Sequence, residues 1–130
     1  MRRAAAALAL LGLLAHHAEA AMVQERARMV TLVLPRPLAE GALAWIDVRI
    51  GRIGPGQEIS ITTAAGRDLG VISPFGMRAG QEAGTFTLPV PADAIVNGRL
   101  TIRVALTQVG AARAPTPEEV RGVTLKVAPR

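Results

Sequence analysis

The chain has 130 residues and a formal net charge of +5, and half of its residues are hydrophobic. It contains no cysteine and no tyrosine, and its two histidines, His16 and His17, both lie near the N-terminus. This composition excludes disulfide support and removes most nucleophiles and bases, so we expect a protein that is not an enzyme.

The first twenty residues have the three parts of a secretion signal. Arg2 and Arg3 supply positive charge, residues 4–15 form an apolar stretch too short to span a bilayer, and Ala18 and Ala20 are the small residues that signal peptidase reads. We expect cleavage after Ala20. The expected product is periplasmic or secreted, with no membrane span and no lipid anchor.

A second cleavage position would change the chemistry. Cleavage after Ala15 would leave His16 at the N-terminus, where its amino group and imidazole can chelate copper. Leu13 fits the outer recognition position of that cut poorly. Cleavage after Ala20 discards both histidines, and we therefore expect no cofactor and no metal site in the mature protein.

The residues after the signal suffice for one domain. We divide the chain into a signal peptide (1–20), an N-terminal arm (21–28) and a single domain (29–130). After residue 20, thirteen Arg or Lys face nine Asp or Glu, without a basic run, and only three aromatic residues are present. We therefore expect no nucleic-acid binding.

Five segments show the alternation of apolar and polar residues, with a period of two, that is typical of half-buried strands. They are 42–50 (in its second half), 58–62, 85–90, 100–107 and 123–127, and two further short segments, 29–34 and 69–72, bring the number of predicted strands to seven. Glycine, proline and polar residues separate them. The pattern predicts an all-β fold, an antiparallel β-sandwich of the immunoglobulin-like or jelly-roll kind with about seven strands.

Helical signals are few. The segment Thr116-Pro117-Glu118-Glu119 combines a capping residue, a proline at the first helical position and two acids in the first turn, which predicts one helical turn. Residues 91–97 are a second short candidate.

The strongest candidate site lies on segment 42–50. Alternation places Leu43, Trp45, Asp47 and Arg49 on one face, opposite a purely apolar face. An exposed tryptophan beside an aspartate and an arginine suits a sugar platform or a protein-binding hot spot. In the alternative interpretation, Leu43 and Trp45 pack beneath a loop or the N-terminal arm.

Two further candidates are weaker. Phe75 and Arg78 lie in a loop after segment 69–72, where they would contact a ligand unless Phe75 folds back to close one end of the sandwich. Arg99, next to segment 100–107, and Arg103 within it face outward on one strand, and Arg49 would join them in a basic stripe for acidic glycans if its strand were a neighbour. The alternative is an ordinary solvated face.

The order of three features carries a resemblance to a known family. These are Trp45-Ile46-Asp47-Val48, the segment Gly70-Val71-Ile72-Ser73-Pro74-Phe75-Gly76, and the terminal strands 100–106 and 123–127. In this order the chain is similar to the C-terminal β-sandwich of tyrosinase-type copper oxidases. The copper-ligating histidines of that family's catalytic domain are missing, so the resemblance implies a capping or accessory module.

We therefore expect an exported, non-catalytic accessory protein that binds another envelope or secreted protein through the Trp45 side of its strand or through a sheet edge. One alternative is a carbohydrate-binding module that uses Trp45 and the outward arginines on an envelope polysaccharide. The other is an accessory module of a copper oxidase. Sugar-binding modules usually align several aromatic residues, so a single tryptophan favours a protein partner.

Overall fold

A computed structural model describes residues 26–74 and 83–128 of the chain. They form eight strands, β1 Arg28–Val33, β2 Leu43–Ile50, β3 Gln57–Thr63, β4 Asp68–Ile72, β5 Gly84–Val90, β6 Arg99–Gln108, β7 Ala111–Arg113 and β8 Val120–Ala128. The all-β prediction is confirmed. The expected signal peptide and most of the expected arm lie outside the described residues, and β1 begins at the last residue assigned to that arm.

The strands form two antiparallel sheets. The five-stranded sheet has the order β1-β6-β3-β4, and β7 also pairs with β6. The three-stranded sheet has the order β5-β2-β8. Strand β6 is long enough to pair with β1 through residues 99–104 and with β7 through residues 106–108.

One hydrophobic core lies between the inner faces of the two sheets. The three-stranded sheet contributes the fully buried Ile46, Val48 and Ile50 of β2. The five-stranded sheet contributes the fully buried Ile59, Ile61, Leu100, Ile102, Val104 and Leu106. The arrangement is consistent with a β-sandwich, and the predicted inward faces of β2 and β6 are confirmed.

Two glycines fix local geometry. At Gly70 of β4, an added Cβ would lie 2.9 Å from a methyl carbon of Leu88, so the missing side chain permits the close approach to β5. Asn97 and Gly98 have φ values of 53° and 72°, and the flanking Val96 and Arg99 pair with each other. Positive φ at both central residues is typical of the tight turn that starts a hairpin.

The predicted turn at residue 116 is present. The Glu119 amide donates to Thr116 Oγ1 at 3.3 Å, and the Thr116 amide donates to Glu119 Oε1 at 2.9 Å. This reciprocal capping closes a single turn before β8. A 3-10 turn, Ala92–Ala94, lies within the second candidate segment. Strand β7 was not predicted, because its three exposed residues show no alternation.

Candidate binding face

The outer face of the three-stranded sheet, which we call the Trp45 face, is built from the outward side chains of β2 and the residues paired with them. Strand β2 contributes Leu43, Trp45, Asp47 and Arg49. Their register partners are Thr85, Thr87 and Pro89 on β5 and Gly122, Thr124, Lys126 and Ala128 on β8. The sequence therefore placed the β2 residues of this face correctly.

Trp45 lies on the central strand of this sheet. Its register partners are Pro89 on β5 and Lys126 on β8, and its side chain is half-buried. Leu43, two residues earlier on the same face, is 61% exposed. Trp45 thus lies outside the sandwich core, yet it is less exposed than a free-standing platform would be.

Asp47 is the best-anchored charged group on the face. One carboxylate oxygen lies 2.7 Å from the Lys126 ammonium, and the other accepts a 2.8 Å hydrogen bond from the Thr87 hydroxyl. The hydrogen bond from Lys126, followed by that from Thr87, holds the pKa of Asp47 below its ordinary value. Asp47 therefore stays ionised and fixes side chains from all three strands.

The Trp45 face changes character along β2. At the Leu43 end a groove of about 550 Å³ is lined by apolar residues that include Leu43, Pro89 and Pro91. At the other end a depression of about 310 Å³ is lined by residues that include Asp47, Arg49 and Lys126. Arg49 is exposed and forms no ion pair within the described ranges. Trp45 lies between an apolar end and a charged end.

The arginine stripe expected across two strands is not formed. Arg99 and Arg103 lie on β6 of the five-stranded sheet, whereas Arg49 lies on β2 of the other sheet. Both strands direct these arginines away from the core, so Arg49 faces the opposite side of the molecule. The condition for the stripe, that the two strands are neighbours, is not met, and the sequence could not decide it because alternation assigns a residue to a face but does not assign a strand to a sheet.

Arg103 differs from Arg99 in its surroundings and in its exposure. Its register neighbours are Met29 on β1 and Thr62 on β3, and it is half-buried. Its Nε is buried and has no hydrogen-bond partner among the residues that the structure describes. Arg99, at the start of β6, is exposed. Arg99 is therefore the more accessible of the two cations.

Several candidate residues lie outside the described ranges. They are Phe75 and Arg78 of the loop, and His16 and His17 of the alternative copper site. Within residues 26–74 and 83–128, no group of histidine or acidic side chains has an arrangement that could hold a metal ion. The same residues include no helix of sufficient length and hydropathy to cross a membrane.

Sequence reasoning missed three contributors to the Trp45 face, namely Thr87, Pro89 and Lys126. Alternation already turned each of them outward on its own strand. The sequence pattern does not show that β5 and β8 flank β2. The charge of Lys126 and the acid at position 47 were the available signal, because opposite charges on neighbouring strands often pair.

Comparison with known protein families, with curated proteins and with solved structures finds no match to this chain. The resemblance to the sandwich of tyrosinase-type copper oxidases therefore rests on the order of residues alone.

Proposed function

We propose that this chain is an exported, non-catalytic accessory protein that binds another exported protein through the Trp45 face. One observation carries the proposal. The only tryptophan of the chain lies on an outer sheet face, between an apolar groove and a set of charged side chains. Binding hot spots are enriched in tryptophan, and a polar rim usually surrounds their apolar centre.

The apolar end supplies the area that a partner would bury. Leu43 is largely exposed although it is next to Trp45 on the same face, and Pro89 and Pro91 line the same groove. A groove formed by proline and strand residues loses little conformational entropy when a partner covers it. Partner side chains of similar size would therefore find a rigid apolar surface here.

The charged end of the Trp45 face would orient a bound partner. Asp47 is held by Lys126 and Thr87, so these side chains are already ordered before binding. Arg49 has no ion pair within the described ranges and presents a planar guanidinium beside them. A carboxylate of the partner would form a charge-assisted pair with Arg49.

The geometry gives less support to a carbohydrate module. Each oxygen of Asp47 already has one partner within the protein, which leaves the carboxylate fewer positions to accept from sugar hydroxyls. Phe86 packs against the core and does not extend the Trp45 face. The outward arginines are divided between two opposite faces. An accessory role beside a copper oxidase is the special case in which the partner is that oxidase.

Export and the finer fold class belong to the same proposal. The charge, apolar length and cleavage residues of segment 1–20 support export. An immunoglobulin-like arrangement, rather than a jelly roll, is supported by the strand pairs. Strand β2 pairs with β5 in one sheet and β3 pairs with β6 in the other, as strands B with E and C with F do in that fold.

The test compares two substitutions on the Trp45 face with a matched change elsewhere. The exported protein is immobilised, and bound envelope proteins are identified by mass spectrometry and then measured pairwise. We expect Trp45→Ala and Leu43→Ser to weaken the specific pair at least about tenfold. The control Val33→Ser alters a residue that is 64% exposed on the five-stranded sheet, and it should leave binding unchanged.

Two results would contradict the proposal. One is a specific partner whose affinity ignores both Trp45→Ala and Leu43→Ser. The other is tryptophan-dependent binding in a glycan screen with no protein partner, which would establish the carbohydrate module instead.

A further inference from the structure

Strand β8 forms one edge of the three-stranded sheet. Among the described residues it pairs with β2 alone, so its other side is a free edge. At its N-terminal end the Arg28 guanidinium donates a 3.0 Å hydrogen bond to the Val120 carbonyl, which occupies that end of the edge. Residues 123–128 are the part of this edge that remains open to another strand, and they span about 20 Å at strand geometry.

Pro89 determines which backbone N–H and C=O groups of β8 point to the free edge. In an antiparallel pair, opposed residues alternate between mutual hydrogen bonding and none, and proline has no N–H to donate. Trp45 and Pro89 are therefore a pair without mutual hydrogen bonds, and Trp45 directs its backbone groups to Lys126 on β8. The neighbours of Lys126, which are Leu125 and Val127, direct their N–H and C=O groups to the free edge.

The side chains beside this edge form a mostly apolar groove that carries one positive charge. The groove holds about 310 Å³ and is lined by Leu125, Val127 and Ala128 together with residues of the loop before β2. Arg36 is the one charged residue of its lining, and it forms no ion pair within the described ranges. Glu40, in the same loop, does not line the groove.

The inner face under the edge is also incompletely covered. Val123 and Leu125 pack on the core but remain half-buried, whereas the β2 residues opposite them are fully buried. The facing sheet has five strands and this one has three. A fourth strand next to β8 would cover these side chains and satisfy the outward backbone groups at once.

We propose that the edge of β8 at residues 123–128 binds an extended acidic segment of the partner protein as a fourth strand of the three-stranded sheet. This inference rests on the proposed function, since it assigns the partner's binding mode at the border of the Trp45 face. The partner's alternate side chains enter the groove, and an Asp or Glu of the segment pairs with Arg36.

Charge distinguishes this occupant from a second copy of the chain. Antiparallel pairing of β8 with itself would place the Ala128 end of one copy beside the Val120 end of the other. Arg36 lies at the first end and Arg28 at the second, so cations would face each other. Like charges in such positions destabilise strand pairing, whereas an acidic segment is attracted.

The experiment uses a defined probe. It is an acetylated eight-residue peptide with valine at every second position and glutamate or threonine between, compared with the same peptide carrying lysine for glutamate. Amide hydrogen exchange in the free protein should be fast at Leu125 and Val127 and slow at Lys126. The acidic peptide should slow exchange at Leu125 and Val127 at least about tenfold, and it should bind about tenfold more tightly than the lysine peptide.

Four variants locate the contact. Val127→Pro removes an N–H that faces the free edge, so it should abolish peptide binding, whereas Lys126→Pro removes a bond to β2 and should destabilise the fold. Arg36→Glu should reverse the preference between the two peptides, and it tests the proposal even if Val127→Pro does not fold. Arg99→Glu, an exposed arginine on the other sheet, is the matched control and should change nothing.

Equal affinity for both peptides, or full binding by folded Val127→Pro, would overturn the strand-addition proposal. So would a concentration-dependent dimer that Val127→Pro abolishes in sedimentation, since a second copy would then occupy the edge. If the identified partner is lost with Trp45→Ala but not with Val127→Pro, strand addition is refuted and the proposed function stands. If neither change affects it, both are refuted.

Discussion

The two outer faces of this protein obey the same alternation of side chains but differ in how their apolar residues are grouped. On the five-stranded sheet the large apolar residues that are exposed are Met29, Val33 and Val71, which lie on the edge strands β1 and β4. On the three-stranded sheet Leu43 and Trp45 are neighbours on the central strand. Grouping, rather than exposure alone, distinguishes a candidate binding face from an ordinary solvated one.

The polar residues of the two faces differ as well. The five-stranded sheet presents mostly threonine, serine and arginine, and the hydroxyls of Thr31 and Thr101 lie 3.3 Å apart across β1 and β6. Each hydroxyl of such a pair satisfies the other, so neither requires a hydrogen bond from a binding partner. Arg49 on the Trp45 face and Arg99 on the five-stranded sheet both lack an ion pair within the described ranges. The Trp45 face differs in having the fixed Asp47–Lys126 pair beside its free cation.

The largest effect should come from the core that both faces enclose. Ile102 is 0% exposed and lies at the centre of β6. Truncation by Ile102→Ala should cost about 2–5 kcal/mol in the free energy of unfolding, because it leaves a cavity that close-packed strands cannot fill. Denaturant unfolding followed by circular dichroism measures this loss, and a cost below that of the Trp45 substitution would place the core elsewhere.

Trp45→Ala should cost less, about 1–2 kcal/mol, because a half-buried side chain on an outer face leaves no enclosed cavity. Its main consequence should be loss of partner binding. Tryptophan emission in the unmodified protein should lie between the maxima of buried and fully exposed indoles, with partial quenching by iodide. A loss of stability as large as that of Ile102→Ala would make Trp45 a core residue and remove the distinction between the faces.

A third effect arises away from both faces, at the turn before β8. Arg113, aided by Thr116, lowers the pKa of Glu119 to about 2, against an ordinary value of 4.5. This lowering stabilises the fold above pH 4.5, and the stabilisation is lost as pH falls toward 2. Because Arg113 is half-exposed, we expect only about 1 kcal/mol.

The measurement is chemical unfolding at pH 7 and pH 3 for the unmodified protein and for Glu119→Gln. The difference between the two proteins should be present at pH 7 and should shrink at pH 3. Glu118→Gln, an exposed neighbour, serves as the control. A difference that is independent of pH would mean that the Arg113–Glu119 pair contributes through packing alone. Partner binding should not respond to either change, since neither residue lies on the Trp45 face.

The smallest effects on stability should come from the exposed apolar residues themselves. Leu43→Ser and Val33→Ser should each change the free energy of unfolding by less than about 0.5 kcal/mol. The two variants should nevertheless differ in partner affinity, which only Leu43→Ser weakens. Calorimetric unfolding together with titration of the purified partner separates the two quantities. Equal affinities would show that grouping beside Trp45 has no functional meaning.

Much of the fold follows from the sequence, because alternation specifies which residues of a strand face the core. Alternation predicted the inward residues of β2 and β6, and capping residues predicted the turn at Thr116. Strand β7 was not, because three small exposed residues carry no periodic signal and are held only by their pairing with β6.

The candidate site was harder to predict, because a face combines several strands and single-strand periodicity contains no information about neighbours. Trp45, Asp47 and Arg49 were grouped correctly, since they share one strand. Whether Arg49 joins the arginines of β6 depended on strand order, which separates them, and Pro89 and Lys126 were missed. Strand order depends on long-range packing between sheets, which local patterns do not encode.

Site-specific cross-linking during export shows directly whether the Trp45 face contacts a partner. The photoreactive residue p-benzoylphenylalanine is placed at position 43 on the Trp45 face or at position 33 on the five-stranded sheet, two sites of nearly equal exposure. We predict a specific protein adduct from position 43 that disappears when Trp45→Ala is added, and none from position 33. An adduct from position 33 alone, or one from position 43 that persists without the tryptophan, would contradict the assignment of the Trp45 face as the binding surface.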